Sequence, residues 1–260
     1  MIRRILALLT SHATLVLPSS VAIGLALPDL AAFLRPTITP LVWAMLTTTM
    51  IRTDWPGLRR LASQPIRVLV ACAFLMTGLA LIVTSIVPHL GLPIGLALSV
   101  SVMCLCPPIT SAPALAPILG LNQPLSLVSA VAGLLLAPLT LPPLALYLLG
   151  LDLDIGVLDL MARLGTLVGS ALVVALIVRG TLGPARLQAA APSLDGLGML
   201  FLIVFAIAIF DGVTEKFLAD PFYVVLFVVG AFAAHCVYQL IGIAVFLWIG
   251  KRDALTMGFL

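Results

Sequence analysis

Long apolar runs, broken by short polar interruptions, set the pattern of this chain. Eight of them read as spans, most near or above the roughly 20 residues that a helix needs to cross a bilayer. They cover residues 13–33, 37–51, 67–88, 91–119, 124–149, 160–179, 195–211 and 221–249. A ninth begins near Asp253 and is cut off at Leu260. Eight residues of helix reach only about 12 Å, against a hydrocarbon core of about 30 Å, so the ninth span is expected to continue in a longer reading frame. The pattern predicts an all-α membrane protein, a multi-spanning helical bundle of eight full spans plus the start of a ninth. It forms a single transmembrane domain, 1–260, with no soluble part.

One interruption falls inside a run instead of between runs. Cys104-Leu-Cys-Pro-Pro-Ile-Thr-Ser-Ala-Pro113 lies within the fourth span. Pro107, Pro108 and Pro113 each lack an N–H, and each ring clashes with the carbonyl one turn back. The fourth span is therefore expected to break at mid-depth. In hydrocarbon, freed backbone groups must be satisfied by protein or by a water-filled cavity. Discontinuous helices of this kind build the binding sites of secondary transporters.

Composition agrees with the pattern. The chain is 62% hydrophobic and 9% charged, against about 25% charged residues in a soluble domain. Its mean hydropathy is +1.27. A net charge of +3 is too small and dispersed to suggest nucleic acid. The placement of the charges is more telling. Arg3, Arg4, Arg52, Arg59, Arg60, Arg67, Arg179, Arg186, Lys251 and Arg252 all fall on one side of the predicted bundle, and only Arg35, Arg163 and Lys216 fall on the other. The positive-inside rule then puts the N-terminus in the cytoplasm. The opening Met1-Ile-Arg-Arg reads as the lead-in to the first span, without a convincing cleavage site. The loop Arg52–Pro65, with Trp55, suits a short interfacial helix. Asp211-Gly212 reads as a helix stop.

Few side chains carry chemistry. Thr110 and Ser111 sit at the break, where their hydroxyls either line a path for substrate or ion or re-satisfy the disrupted backbone. Ser126 and Ser129 are three apart and share a face of span five, as ion ligands or as helix–helix hydrogen bonders. His235 lies near the centre of span eight with Gln239 one turn on and Tyr238 beside it. A polar pair at that depth must face protein or water. It serves as a proton relay or substrate contact, or as an inter-helix hydrogen bond. Cys104 and Cys106 are soft ligands, yet residues i and i+2 do not face each other on a helix. Cys72 and Cys236 read as packing. No nucleophile–base pair, metal-ligand cluster or phosphate loop suggests an enzyme.

Three stretches resemble the bile acid:sodium symporter family in order and spacing. They are Thr53–Arg67, Cys106–Pro113, and Leu125-Ser-Leu-Val-Ser129 running to Leu136-Ala-Pro-Leu-Thr-Leu-Pro142. The resemblance implies an inverted-repeat transporter fold of ten helices, with helices four and nine broken and crossing near the midplane. It implies a substrate site between helices four, five, eight and nine for a small organic anion. It also implies a cation site in which Thr110 and Ser126 match the family's hydroxyls, while Ala112 and Pro113 stand where the family has Ser and Asn. Those departures leave three modes open: coupling to Na+, coupling to H+, and a facilitated or efflux mode. The expectation is a secondary transporter of the bacterial inner membrane. An arsenite or auxin-like weak-acid efflux carrier, or a truncated non-transporting membrane protein, is the alternative.

Overall fold

A helix closes its backbone hydrogen bonds within its own segment, which suits an apolar chain with no water to bond to. In the computed structural model every regular element among the described residues is helical. These residues are 10, 12–53, 55, 70, 73–108, 112, 116, 119–148 and 155–260. The elements are α1 (Ala13–Ala26), α2 (Pro28–Arg52), α3 (Phe74–Leu90), α4 (Ile94–Met103), α5 (Gln123–Tyr147), α6 (Val157–Ala208), α7 (Val213–Ala219), α8 (Pro221–Ile249) and α9 (Lys251–Phe259). Four of them, α2, α5, α6 and α8, are long and apolar enough to cross a membrane, and α1, α3 and α4 are shorter apolar helices. Large apolar side chains point outward along them, including Phe33, Ile94, Leu158, Phe222, Phe232, Leu240 and Trp248. Exposed apolar surface on that scale marks a membrane-embedded protein.

The helix boundaries depart from the sequence reading in two places. The first two spans, expected at 13–33 and 37–51, divide at Leu27 instead. Pro28 starts α2 at a first-turn position, where its missing N–H costs nothing. The expected loop at Arg35–Thr37 is a 3₁₀ turn that the helix passes through. Spans six and seven, expected at 160–179 and 195–211, are two helices within α6 that meet at Gly183, and the linker expected between them is itself helical on either side of that residue. The stretch between them contains Arg186-Leu-Gln-Ala-Ala-Ala191, strong helix formers. Only Gly183 departs from helical geometry, at φ 69° and ψ 165°.

The chain forms two compact units, each assembled from two separate stretches. The first comprises Met1–Thr53 and Leu167–Val225, and the second Asp54–Thr166 and Leu226–Leu260.

In the first unit, α2 and the second half of α6 run antiparallel. Arg35 pairs with Asp211 at 2.8 Å, and Arg52 pairs with Asp195. The two arginines lie about 25 Å apart along α2, and the two aspartates lie a similar distance apart along α6 and its exit turn. Both ends of the helix pair are therefore clamped, with an apolar stretch close to the bilayer core's thickness between them. Arg179 donates to the Ile51 carbonyl near the Arg52 end, and Trp43 Nε1 donates to Ser170 Oγ at 3.0 Å. Near the Arg35 end, Thr214 Oγ1 donates to the Leu25 carbonyl at 2.7 Å. Gly24 lets α1 approach α6 closely, since a Cβ there would meet the Ile207 carbonyl oxygen at 3.0 Å.

In the second unit, α3, α4, the end of α5 and one face of α8 share an apolar core. Leu79, Ala80, Val83, Leu96, Val100, Cys104, Leu105 and Ala145 are buried in it. Leu226, Phe227, Ala234, Tyr238 and Ile241 of α8 pack against it. Gly230 of α8 lies directly on Leu96, whose Cδ1 would be 2.8 Å from an added Cβ. A second cluster joins Leu75, Phe246, Ala254 and Met257, with Phe74 and Phe246 in an edge-to-face contact at 5.3 Å.

Candidate functional site

The expected break is present. α4 ends at Met103, residues 104–106 turn, and Pro107 and Pro108 are not helical. Beyond the break, Ala116 N donates to Ala112 O at 2.9 Å, and Leu121 N donates to Ala116 O at 2.8 Å. Gly120, just before Leu121, is left-handed, a geometry that favours glycine.

The last carbonyls of a helix lack intrahelical partners, and the end of α4 supplies its own. Cys104 Sγ donates to Ser101 O at 2.9 Å. Leu105 N donates to Val102 O at 3.0 Å, and Cys106 N to Met103 O at 3.3 Å. Cys106 Sγ also reaches Val102 O, at 3.7 Å. Both thiols thus turn back onto their own chain.

Facing the break is α5. Ser126, Ser129 and Gly133 recur at three- and four-residue spacing and so share a face. Gly133 forms a notch for the broken segment, because an added Cβ would lie 2.6 Å from Pro108 Cδ and 3.6 Å from Met76 Sδ. Ser126 and Ser129 are fully buried. Neither hydroxyl has a hydrogen-bond partner among the described residues. A serine in a membrane helix ordinarily donates to the carbonyl one turn back, as Thr47, Thr48 and Thr84 do in this protein. Two adjacent buried hydroxyls that do not are an unusual pair.

The entry to α5 is braced by α9. The Asn122 side chain caps α5 by accepting from Leu125 N at 3.2 Å. Its Nδ2 donates to Asp253 Oδ1 at 2.8 Å, and its backbone N–H donates to Thr256 Oγ1 at 2.9 Å. Arg252 donates to the Gly120 and Leu121 carbonyls at 3.1 and 3.0 Å. Gly242 and Gly258 let α8 and α9 touch, an added Cβ on Gly242 meeting Gly258 Cα at 2.9 Å.

Of the residues singled out from sequence, Thr110, Ser111 and Pro113 lie outside the described residues, as does Cys72. Ser126 and Ser129 come together on the face that meets the break. His235 and Gln239 bond to each other within α8, Nε2 to Nε2 at 3.1 Å. An inter-helix bond, one of the two roles open to that pair, is made next to it by Tyr238, which donates to the Val100 carbonyl at 2.7 Å. The Asn122–Asp253–Thr256 network and the Tyr238 bond were not foreseen. The Asn-Gln-Pro sequence ahead of an apolar run was a cap signal for the first.

The chain matches no protein-family profile and no curated protein.

Proposed function

We propose that this is a secondary transporter, similar to the bile acid:sodium symporters, that moves a small organic anion across the bacterial inner membrane. The observation that carries the reading is the pair of buried, unpartnered hydroxyls of Ser126 and Ser129 beside a broken helix. Hard cations take oxygen ligands, and the two unpartnered hydroxyls suit Na+. With H+ as the coupling ion, His235 and Gln239 are the titratable and polar pair at depth. Thr110, Ser111 and Pro113 complete the site on this reading.

Two further features support it. Each unit combines an early stretch with a late one, the interleaving that an inverted repeat produces when matching parts of the two halves assemble. Each ion pair of the first unit joins residues from the same expected side of the membrane, Arg52 with Asp195 in the cytoplasm and Arg35 with Asp211 outside. A multi-pass arrangement of eight spans and the start of a ninth, with the N-terminus cytoplasmic, accounts for both.

The test is flux into vesicles containing the protein, with bile acids, keto acids and related organic anions as substrates and imposed Na+ or H+ gradients. Uptake that follows one gradient supports the reading and names the ion. No flux of any anion under either gradient rejects it.

A further inference from the structure

The structure assigns Tyr238 as the positioning residue that holds the broken end of α4. A regular helix would bond Cys104 N–H to Val100 O. Here the Cys104 N–H is directed to the Val102 carbonyl instead. The Tyr238 hydroxyl donates to Val100 O at 2.7 Å from α8. The bonds described above to the carbonyls of residues 101–103 come from residues 104–106 of the same chain segment. Such bonds travel with the segment and do not fix it in space. Tyr238 ties it to another helix.

The placement of the ring makes the tie stiff. Tyr238 packs against the cluster that buries Val100, Cys104 and Leu105. Two turns earlier on α8, Gly230 seats on Leu96, so α4 is held at two levels by one face of α8. On the far side of the break, Pro108 seats in the notch at Gly133, on the α5 face that carries Ser126 and Ser129. The segment 104–108 thus runs between a hydrogen bond to α8 and a steric notch on α5. Tyr238 sets where the chain leaves α4, and with it the distance from the break to the two serine hydroxyls.

The role in transport rests on the proposed function; the role in fixing the break does not. The test uses the full chain with Cys72→Ala, Cys106→Ser and Cys236→Ala, which leaves buried Cys104 as the reporter. Tyr238→Phe keeps the ring and removes only the donor. Maleimide labelling of Cys104 in detergent is expected to speed up about five- to tenfold, the factor that one net hydrogen bond sets. Amide hydrogen exchange of the intact protein is expected to rise across residues 104–108 and to stay unchanged in α2 and α6. Unchanged labelling and exchange at the break overturn the assignment. A rise spread over all helices overturns it too, because that marks a general packing role. Where vesicles show flux, Tyr238→Phe is expected to raise KM for the anion or the ion more than it lowers the maximal rate. Absence of flux in the unaltered protein counts against the transporter reading and leaves the labelling result standing.

Discussion

Ser126 and Ser129 stand one turn apart on α5, both fully buried and both without a hydrogen-bond partner among the described residues. A buried hydroxyl left unpaired costs about 1–3 kcal/mol. Replacing either with alanine should therefore stabilise the ion-free protein by about 1 kcal/mol, roughly 2–4 °C in Tm for a chain of this size. On the proposed function, the same replacement should abolish any rise of Tm with added Na+ or with pH. Thermal unfolding in detergent, with and without Na+ and across pH, checks both halves. A fall in Tm for Ser126→Ala would mean that the hydroxyl is satisfied and structural.

Gly133 is the notch for Pro108, with 2.6 Å between an added Cβ and Pro108 Cδ. Gly133→Ala should push the broken segment off α5 and destabilise by about 1–3 kcal/mol, the usual range for overpacking. Gly165→Ala, where an added Cβ meets nothing within 4 Å, is the matched control and should be neutral or slightly stabilising. Equal Tm values for the two variants would remove the notch from the account.

Asn122 both caps α5 and holds Asp253. Asn122→Ala should cost about 1 kcal/mol through the lost cap. Asp253→Ala should cost less on its own. A double-mutant cycle should return a coupling of about 0.5–1 kcal/mol for the pair. A coupling near zero would show that the contact contributes nothing to the docking of α9.

The Arg52–Asp195 pair is half exposed. Exposed pairs are worth little, so Asp195→Asn should shift stability by less than about 1 kcal/mol. Asp195→Lys, which sets two cations against each other, should be worse. Restoring opposition with Arg52→Asp on that background should recover most of the loss. Failure of the swap to rescue would mean that Arg52 does not act through its charge.

The sequence carries the membrane class and the helical architecture openly, because both follow from composition and from the length of apolar runs. The break at Pro107–Pro108 is equally plain, since proline acts locally. The pairing of Ser126 with Ser129 follows from helical period alone. What could not be read is partner choice across the fold. Tyr238 looks like one aromatic among many in an apolar run, and only packing places its hydroxyl at Val100. Asp195 and Asp211 look like ordinary loop acids until α6 brings them beside Arg52 and Arg35. The helical linker between spans six and seven is hidden for a different reason. Polarity suggests a loop at 180–194, while the helix propensity of its alanines, leucine, glutamine and arginine favours helix up to and beyond the joint at Gly183.

Gly183 has a consequence for how the chain enters its bilayer. Without a break, α6 would be a rod of about 78 Å, more than twice the hydrocarbon thickness. The break divides it into pieces of about 39 and 37 Å, each sufficient for one crossing. Its backbone geometry is essentially restricted to glycine, and no neighbouring atom lies within 4 Å of where a side chain would begin. The restriction is therefore one of torsion and not of space. A single hydrogen in place of a methyl group therefore decides whether the chain can adopt that joint. Gly183→Ala would strain the hinge between the two pieces while leaving every apolar segment intact.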